Sequence, residues 1–429
     1  MRTTLYLLAC LLAAAALPAQ TAGLDLSRAI HLTLDHSPLL QQNRAETAAA
    51  TAATGTARAA RYPQARGVAS YSHLAPVGYV EFPANGELIR SSLLAPDSYN
   101  TAIDVSYTLY DFGRTQTGID LAQNRVALTT ASGEVQRQQL ALTTIQRFYQ
   151  AHYLQEAIDV QDRELEALRL NLQQTERLRA NGEATAYEVL STEVRISAAE
   201  NQRADLEQQL RAAYIDLERL TGLEDLEHTP LVNEWVDTTR RQPVATTDID
   251  RAELDIARLR EEGAALQEVL AAENFKPVLT ANVQGGFKNQ ILPDTRRFLP
   301  NYVAGAQLTV PIFTGYRNRY ALAEARANRE AAGYARQDTR EAITAEVRQA
   351  ADRLNTAYDK IERSRLQVRQ ARDAAELARK KYASGVITNL DLLDTEVTVS
   401  EAEIGQLRTI FDYTLATYQL KQAVGLPLY

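Results

Sequence analysis

The sequence of 429 residues contains one cysteine, one tryptophan and one methionine. With Cys10 as its only cysteine, it cannot build a disulfide framework. Long apolar runs are also missing. Past Leu17, no stretch reaches the roughly 18 consecutive apolar residues that a membrane-spanning helix requires. An excess of positive charge is absent too. The formal net charge is −8, which argues against a nucleic-acid partner, because neutralising phosphates takes clustered Lys and Arg. Catalytic and metal-binding constellations are equally scarce. His31 and His36 are five apart, one more than the spacing of a zinc helix motif, and His73, His152 and His228 are scattered. "DFG" at 111–113 has neither the glycine-rich loop nor the catalytic loop that would give it meaning. The sequence therefore predicts no enzyme, no metal site and no cofactor.

What is present begins at the N-terminus. Arg2 is followed by an apolar run, Leu5–Leu17, too short to span a bilayer, and then by small residues around Ala19–Ala22. Residues 1–22 read as a secretory signal peptide, so the chain is expected to leave the cytoplasm. "LLAC" at 7–10 resembles a lipoprotein processing box, but the apolar run continues past it.

Proline placement marks out two long windows. None occurs between Pro96 and Pro230, or between Pro311 and Pro427. Within the first, Leu154, Ile158, Leu165, Leu168 and Leu172 fall on the seam positions of a heptad, and Leu206, Leu210, Ala213, Leu217 and Leu220 step by four and three. That is coiled-coil spacing. An unbroken helix from Thr115 to Ala180 would be about 100 Å long, too long for a single globular core. Gly118 and Gly133 lie inside it and weaken the helix by about 1 kcal/mol each relative to Ala.

The two windows are copies. Gly385 lies 203 positions after Gly182, and the same shift places Leu109-Tyr110 on Ile312-Phe313, Arg114 on Arg317, Ile158 on Ile361 and Gly222 on Gly425. "STEV" at 191–194 falls on "DTEV" at 394–397. A register without insertions over more than a hundred residues implies an internal duplication. The expected organisation is a first repeat over 23–223, an inter-repeat segment over 224–248 that carries Trp235, and a second repeat over 249–429.

Ahead of each helical window the period changes to two. Tyr99, Ile103, Val105, Tyr107 and Leu109 alternate with polar residues, as do Leu279, Ala281, Val283 and Phe287, and Ala304, Ala306, Leu308 and Val310. "GVASYSHLA" at 67–75 alternates more weakly. These strands have the length of tilted membrane strands and form hairpins over about 66–112 and 277–313. Tyr79, Phe82 and Tyr99 lie toward one end, as do Phe287, Phe298 and Tyr302. Tyr62, Phe112, Phe275, Phe313 and Tyr316 lie toward the other, in the layout of interfacial aromatic girdles. A half-buried sheet in a soluble protein would alternate identically. It is the secretory start together with the long helices that favours the membrane. Four strands cannot close a barrel, and open edges cannot face lipid, so several copies must each donate four.

At this point the chain resembles the TolC-like family of outer-membrane efflux channels. The resemblance rests on "LDLSRAIHLTLDHSPLLQQNRAE" at 24–46, "LTVPIFTGYRNR" at 308–319 and, most specifically, "KYASGVITNLDLLDTE" at 381–396. It implies an α+β membrane protein: a homotrimer whose twelve-stranded β-barrel, four strands per chain, continues into a long α-helical coiled-coil tunnel. It also implies an outer-membrane duct for export, with the tunnel in the periplasm, joined to an inner-membrane transporter through a periplasmic adaptor (a membrane fusion protein). The short inter-repeat segment implies a minimal belt around the tunnel. A coiled-coil adaptor is the competing reading, and it leaves the girdled strands unexplained.

Each helix-hairpin tip starts at Gly182 or Gly385, where a left-handed residue would end a helix. Thr185 and Thr388 stand at N-cap positions, with Glu188 and Asp391 three residues on, the spacing of a capping box. Asp394 is no capping residue, since its repeat partner is the neutral Ser191. By resemblance, Asp391 and Asp394 match an acidic ring at the periplasmic aperture, which would favour cations. Capping alone also accounts for Asp391. Tyr382, Tyr187 and Glu188 match tip positions of the family, and the tips around Gly182, Gly385 and Thr388 match its adaptor contact. An arginine that latches the family's tips is replaced here by Ile387.

Overall fold

The computed structural model describes residues 23–84, 86–92, 94–232, 235–239, 249–291 and 294–429. The expected signal peptide with Cys10 and the stretch 240–248 of the inter-repeat segment lie outside the described residues. Two compact units are present. One comprises residues up to 42, 133–252 and 340–429, and the other 43–132 and 253–339. No helix among the described residues is long and apolar enough to cross a membrane.

The second unit contains a four-stranded antiparallel sheet, formed by β1 (Gln64–His73), β4 (Asp97–Tyr110), β5 (Val278–Lys288) and β6 (Leu299–Thr309) in that spatial order. The β4–β5 pairing joins the two repeats, and β1 and β6 remain as edges. Register sorts the side chains, because alternate residues of a strand point to opposite faces. Ala65, Val105, Val283 and Ala304 form one row, and Gly67, Ile103, Gly285 and Tyr302 the next. The opposite face carries Gln64, Ser106 and Asn282, then Arg66, Asp104 and Gln284, with Lys288 further on. Arg66 and Asp104 are direct partners and form an ion pair of 2.6 Å on this polar face. Gly286 must be glycine, since a Cβ there would meet the Thr101 carbonyl oxygen at 2.1 Å.

The expected hairpin over about 66–112 is more elaborate than its sequence pattern. Between β1 and β4 lies a separate ribbon of β2 (Tyr79–Ala84) and β3 (Glu87–Ser92), in which Glu81 faces Arg90. Asn85-Gly86, the strongest short hairpin signal, stands at its centre in the sequence. The unit is completed by α2 (Pro38–Ala59), α5 (Ala252–Glu273) and the first parts of two long helices.

Those helices are α3 (Arg114–Ala180) and α6 (Arg317–Ala383), 67 residues each. They are followed by α4 (Ala186–Thr221) and α7 (Asn389–Val424), 36 residues each. The helices α6 and α7 begin and end 203 positions after α3 and α4. Gly118 and Gly133 do not interrupt α3. Burial of its apolar face outweighs the intrinsic cost of two glycines, as tertiary packing usually does.

In the first unit the expected heptad seam is the core. Leu154, Leu165, Leu168, Leu206, Ala213, Leu217 and Leu220 are buried, and Ile158 and Leu210 pack against them. The short α1 (Leu26–His36), N-capped by Asp25, adds Ile30 to the same core, beside Phe148 and Tyr149. The second repeat builds its own cluster from Val347, Leu354, Ile361, Tyr413 and Leu420. From the inter-repeat segment, Trp235 stacks on Tyr149 with ring centroids 5.5 Å apart and donates Nε1–H to Glu156 at 2.9 Å.

Candidate functional site: the helix-hairpin tips

The tips form because two local devices stop one helix and start the next. Gly182 and Gly385 take left-handed φ values of 80° and 70°, which lets the chain turn out of α3 and α6. The Glu183 amide then reaches back to the Leu178 carbonyl at 2.8 Å, and the Val386 amide to that of Lys381 at 2.9 Å. After the turn, Thr185 and Thr388 have extended backbones and accept from the amides three residues on. Glu188 and Asp391 return the bond to the threonine amides at 2.6 and 3.0 Å. Both capping boxes are complete.

Asp391 therefore has a structural task. The Thr388 hydroxyl and amide, bonded to its carboxylate, hold its pKa below the ordinary aspartate value. The side chain nevertheless stays exposed. Three residues on, Asp394 is ion-paired with Arg195 of α4 and remains 62% exposed. Nothing near Asp394 in the sequence points to this partner, which comes from the other repeat. The two carboxylates point outward because Leu393, between them, is fully buried against Leu165 and Leu168 of α3 and Ala199 of α4.

Beneath the tips lies a polar cluster that sequence reading missed. Asn389, 1% exposed, donates to the Thr192 hydroxyl at 3.1 Å and accepts from the Asn171 amide at 2.9 Å. Thr192 in turn donates to the Glu188 carbonyl at 2.9 Å. The cluster links α3, α4 and α7, and so ties the two repeats together. A signal existed: with the 203-residue shift, Asn171 falls on Ala374 and Asn389 on Ala186, so polar residues stand where the copies carry alanine. Further along, Glu403 of α7 is held by Arg163 of α3 at 3.0 Å and Arg372 of α6 at 2.7 Å. Burial alone would raise the Glu403 pKa, but bonds from both guanidiniums bring it below the ordinary value.

The remaining expected positions fall as follows. Tyr187 is exposed at the first tip, and Tyr382 is half-buried at the end of α6. Tyr99 is on β4, Phe287 on β5 and Tyr302 on β6, all at the end of the sheet away from the helices. Phe112, Phe313 and Tyr316 lie at the opposite end, between strand and helix, and Phe112 and Tyr316 have positive φ. Tyr79 and Phe82 belong to the β2–β3 ribbon, a two-stranded sheet separate from the four-stranded one. All eight aromatics are exposed in the single chain.

A two-faced sheet feeding two pairs of very long helices in duplicate is a distinctive arrangement. Residues 29–223 and 248–426 match the outer membrane efflux protein family. The chain belongs to that family. It is accordingly an outer-membrane protein of the TolC-like channel fold. It is 26% identical to the alkaline protease secretion protein AprF of Pseudomonas aeruginosa, over 77% of this chain and 70% of that one. Identity to the pyoverdine export outer membrane protein OpmQ of Pseudomonas putida is also 26%, over 78% and 72% of the two chains. The crystal structure of the Campylobacter jejuni CmeC outer membrane channel superposes with a TM-score of 0.78, over 93% of this chain and 85% of that one, at 16% identity.

Proposed function

We propose that three copies of this efflux-family chain close one twelve-stranded barrel and form the passive outer-membrane duct of a tripartite export system. The observation that carries this reading is the sheet. It has one apolar and one polar face and two unpaired edges, β1 and β6, and such edges cannot remain open in lipid. Pairing the β1 of one chain with the β6 of the next satisfies both edges, puts the apolar face against lipid and lines the lumen with the polar one. Tyr79, Phe82, Tyr99, Phe287 and Tyr302 then mark one lipid interface, and Phe112, Phe313 and Tyr316 the other.

Asp391 and Asp394 from three chains would supply six carboxylates around a periplasmic opening and draw cations to it. The tips around Gly182 and Gly385 expose Tyr187, Leu190, Val386 and Leu390, an apolar surface suited to a periplasmic adaptor. That adaptor would join the duct to an inner-membrane transporter, which selects the cargo. The names of AprF and OpmQ refer to cargoes as different as a protease and pyoverdine, consistent with selection elsewhere. The duct performs no chemical step.

Fractionation and electrical recording test the proposal together. Heat-modifiable trimers in the outer-membrane fraction that conduct ions in planar bilayers are expected. Recovery as a soluble periplasmic monomer without conductance would reject it.

A further inference from the structure

At the helical end of the sheet is a cavity of about 380 Å³, lined by Arg114, Lys276, Arg317 and the polar side chains of Asn274, Thr314 and Asn318. Val278 and Thr309, register partners on β5 and β6, also line it. They share the face of Thr280 and Gln307, so the cavity opens on the polar side of the sheet. Three cations surround it, and no carboxylate is in its wall.

Two of these cations make their hydrogen bonds to backbone carbonyls rather than to carboxylates. Arg114 donates from Nη2 to the Glu273 carbonyl at 3.2 Å, and Lys276 from Nζ to the Phe112 carbonyl at 3.5 Å. Both acceptors are neutral backbone groups. The Arg114 Nε is buried and has no hydrogen-bond partner among the described residues. Two acids lie outside the cavity wall: Asp111, which shares its field with Arg114, and Glu273, one of whose carboxylate oxygens is buried with no hydrogen-bond partner among the described residues. Asp111 accepts from the Thr115 and Gly113 amides at 2.8 and 3.2 Å at the start of α3. Glu273 is buried and accepts from the Thr117 hydroxyl at 3.1 Å. The repeats differ here in a telling way. With the 203-residue shift Asp111 falls on Thr314, so α6 begins beside a neutral hydroxyl where α3 begins beside a carboxylate.

We propose that this cavity is an anion-binding site on the inner wall of the duct, one per chain, for the phosphate or carboxylate groups of anionic solutes in transit. The proposal rests on the reading that the polar face lines a lumen. Guanidinium and ammonium donors around a site partly shielded from water hold such oxyanions through charge-assisted hydrogen bonds. Three such sites make a positive belt at the foot of the barrel, so the duct carries a second electrostatic element besides the acidic rim at its tips. An anion leaving the tunnel would meet this belt before the barrel.

The test uses the full-chain trimer in planar bilayers, with inorganic phosphate and tripolyphosphate as probes added on the barrel side. Both are expected to reduce the current, tripolyphosphate at lower concentration. In Arg114→Gln/Lys276→Gln/Arg317→Gln the half-blocking concentration should rise about tenfold or more, as loss of charged hydrogen bonds implies. The exposed Arg319, outside the cavity wall, provides a charge-matched control, and Arg319→Gln should leave block unchanged. If the triple variant does not assemble, Lys276→Gln and Arg317→Gln singly should each weaken block by a smaller factor. Unaltered block in the variants would overturn the site, as would equal weakening by Arg319→Gln. Loss of co-purified phospholipid in native mass spectra with block unchanged would overturn it as well, assigning the cavity to a lipid headgroup. A wild-type trimer that conducts without block sinks the site alone, whereas one that does not conduct at all sinks the duct and the site with it.

Discussion

Arg195 of α4 and Asp394 of α7, one from each repeat, form an ion pair across the base of the tips. Among the described residues the Asp391 carboxylate has no such cation and is bonded only to Thr388. The two carboxylates are therefore unequal in the field they present to a passing ion. Asp391→Asn should lower the cation preference of the channel more than Asp394→Asn does, and Arg195→Gln should raise it by releasing Asp394. Reversal potentials in a salt gradient at low ionic strength measure this, and the differences should fade toward molar salt. Equal losses from the two aspartates, or no change with Arg195→Gln, would count against the assignment.

The caps make a separate prediction. Thr388→Ala removes the acceptor for the Asp391 amide and should destabilise the start of α7 by about 1 kcal/mol, as N-cap losses do. Thr185→Ala should act likewise on α4. Amide hydrogen exchange over 389–392 and 186–189 reports each tip separately. Unchanged exchange in Thr388→Ala would show that tip packing, rather than the cap, holds the helix start.

Asn389 and Asn171 should be strongly coupled. Asn389→Ala strands the half-buried Asn171 amide and should cost about 1 kcal/mol, the lower end of the penalty for an unsatisfied polar group. Adding Asn171→Ala removes the stranded partner, so the double variant should be less destabilised than the sum of the two singles. Denaturant midpoints for the four members of the cycle decide the matter, and strict additivity would mean that the two side chains act independently.

These examples also show what could be read in the sequence. The helices, the heptad seam, the strand alternation and the capping boxes were all legible, because each is written in local periodicity or in a residue pair within one turn. Leu154, Leu165 and Leu217 occupy the core as their spacing predicts, and Thr185 and Thr388 cap as their position predicts. What escaped depends on residues about 200 positions apart. Nothing local to Asp394 points to Arg195, and nothing local to Asn389 points to Asn171. The β2–β3 ribbon escaped for another reason. Its Asn85-Gly86 signal was present, but the single hairpin expected over 66–112 left no place for it.

Acid should act through Glu403. Two arginines lower its pKa in the folded chain, so its stabilising contribution is complete above the ordinary carboxylate range and disappears as pH falls through the lowered folded value. Wild type should accordingly exceed Glu403→Gln in stability at neutral pH, by on the order of 1 kcal/mol. The gap should begin to shrink as pH falls through the ordinary glutamate value of about 4.3 and close only below the lowered folded value, where the carboxylate is protonated in both states. Heat-modification midpoints of the two trimers across this range check the sign. A gap that widened in acid would contradict the ion-pair account.

The most direct test concerns the edges of the sheet. Single cysteines placed along β1, at Gly67 or Ala69, and along β6, at Ala304 or Ala306, should form disulfides between chains in outer membranes, because β1 of one chain neighbours β6 of the next. With one cysteine on each edge, the covalent ladder should end at three chains. No cross-linking in any register, or a ladder running on past three, would contradict a closed barrel built from three copies.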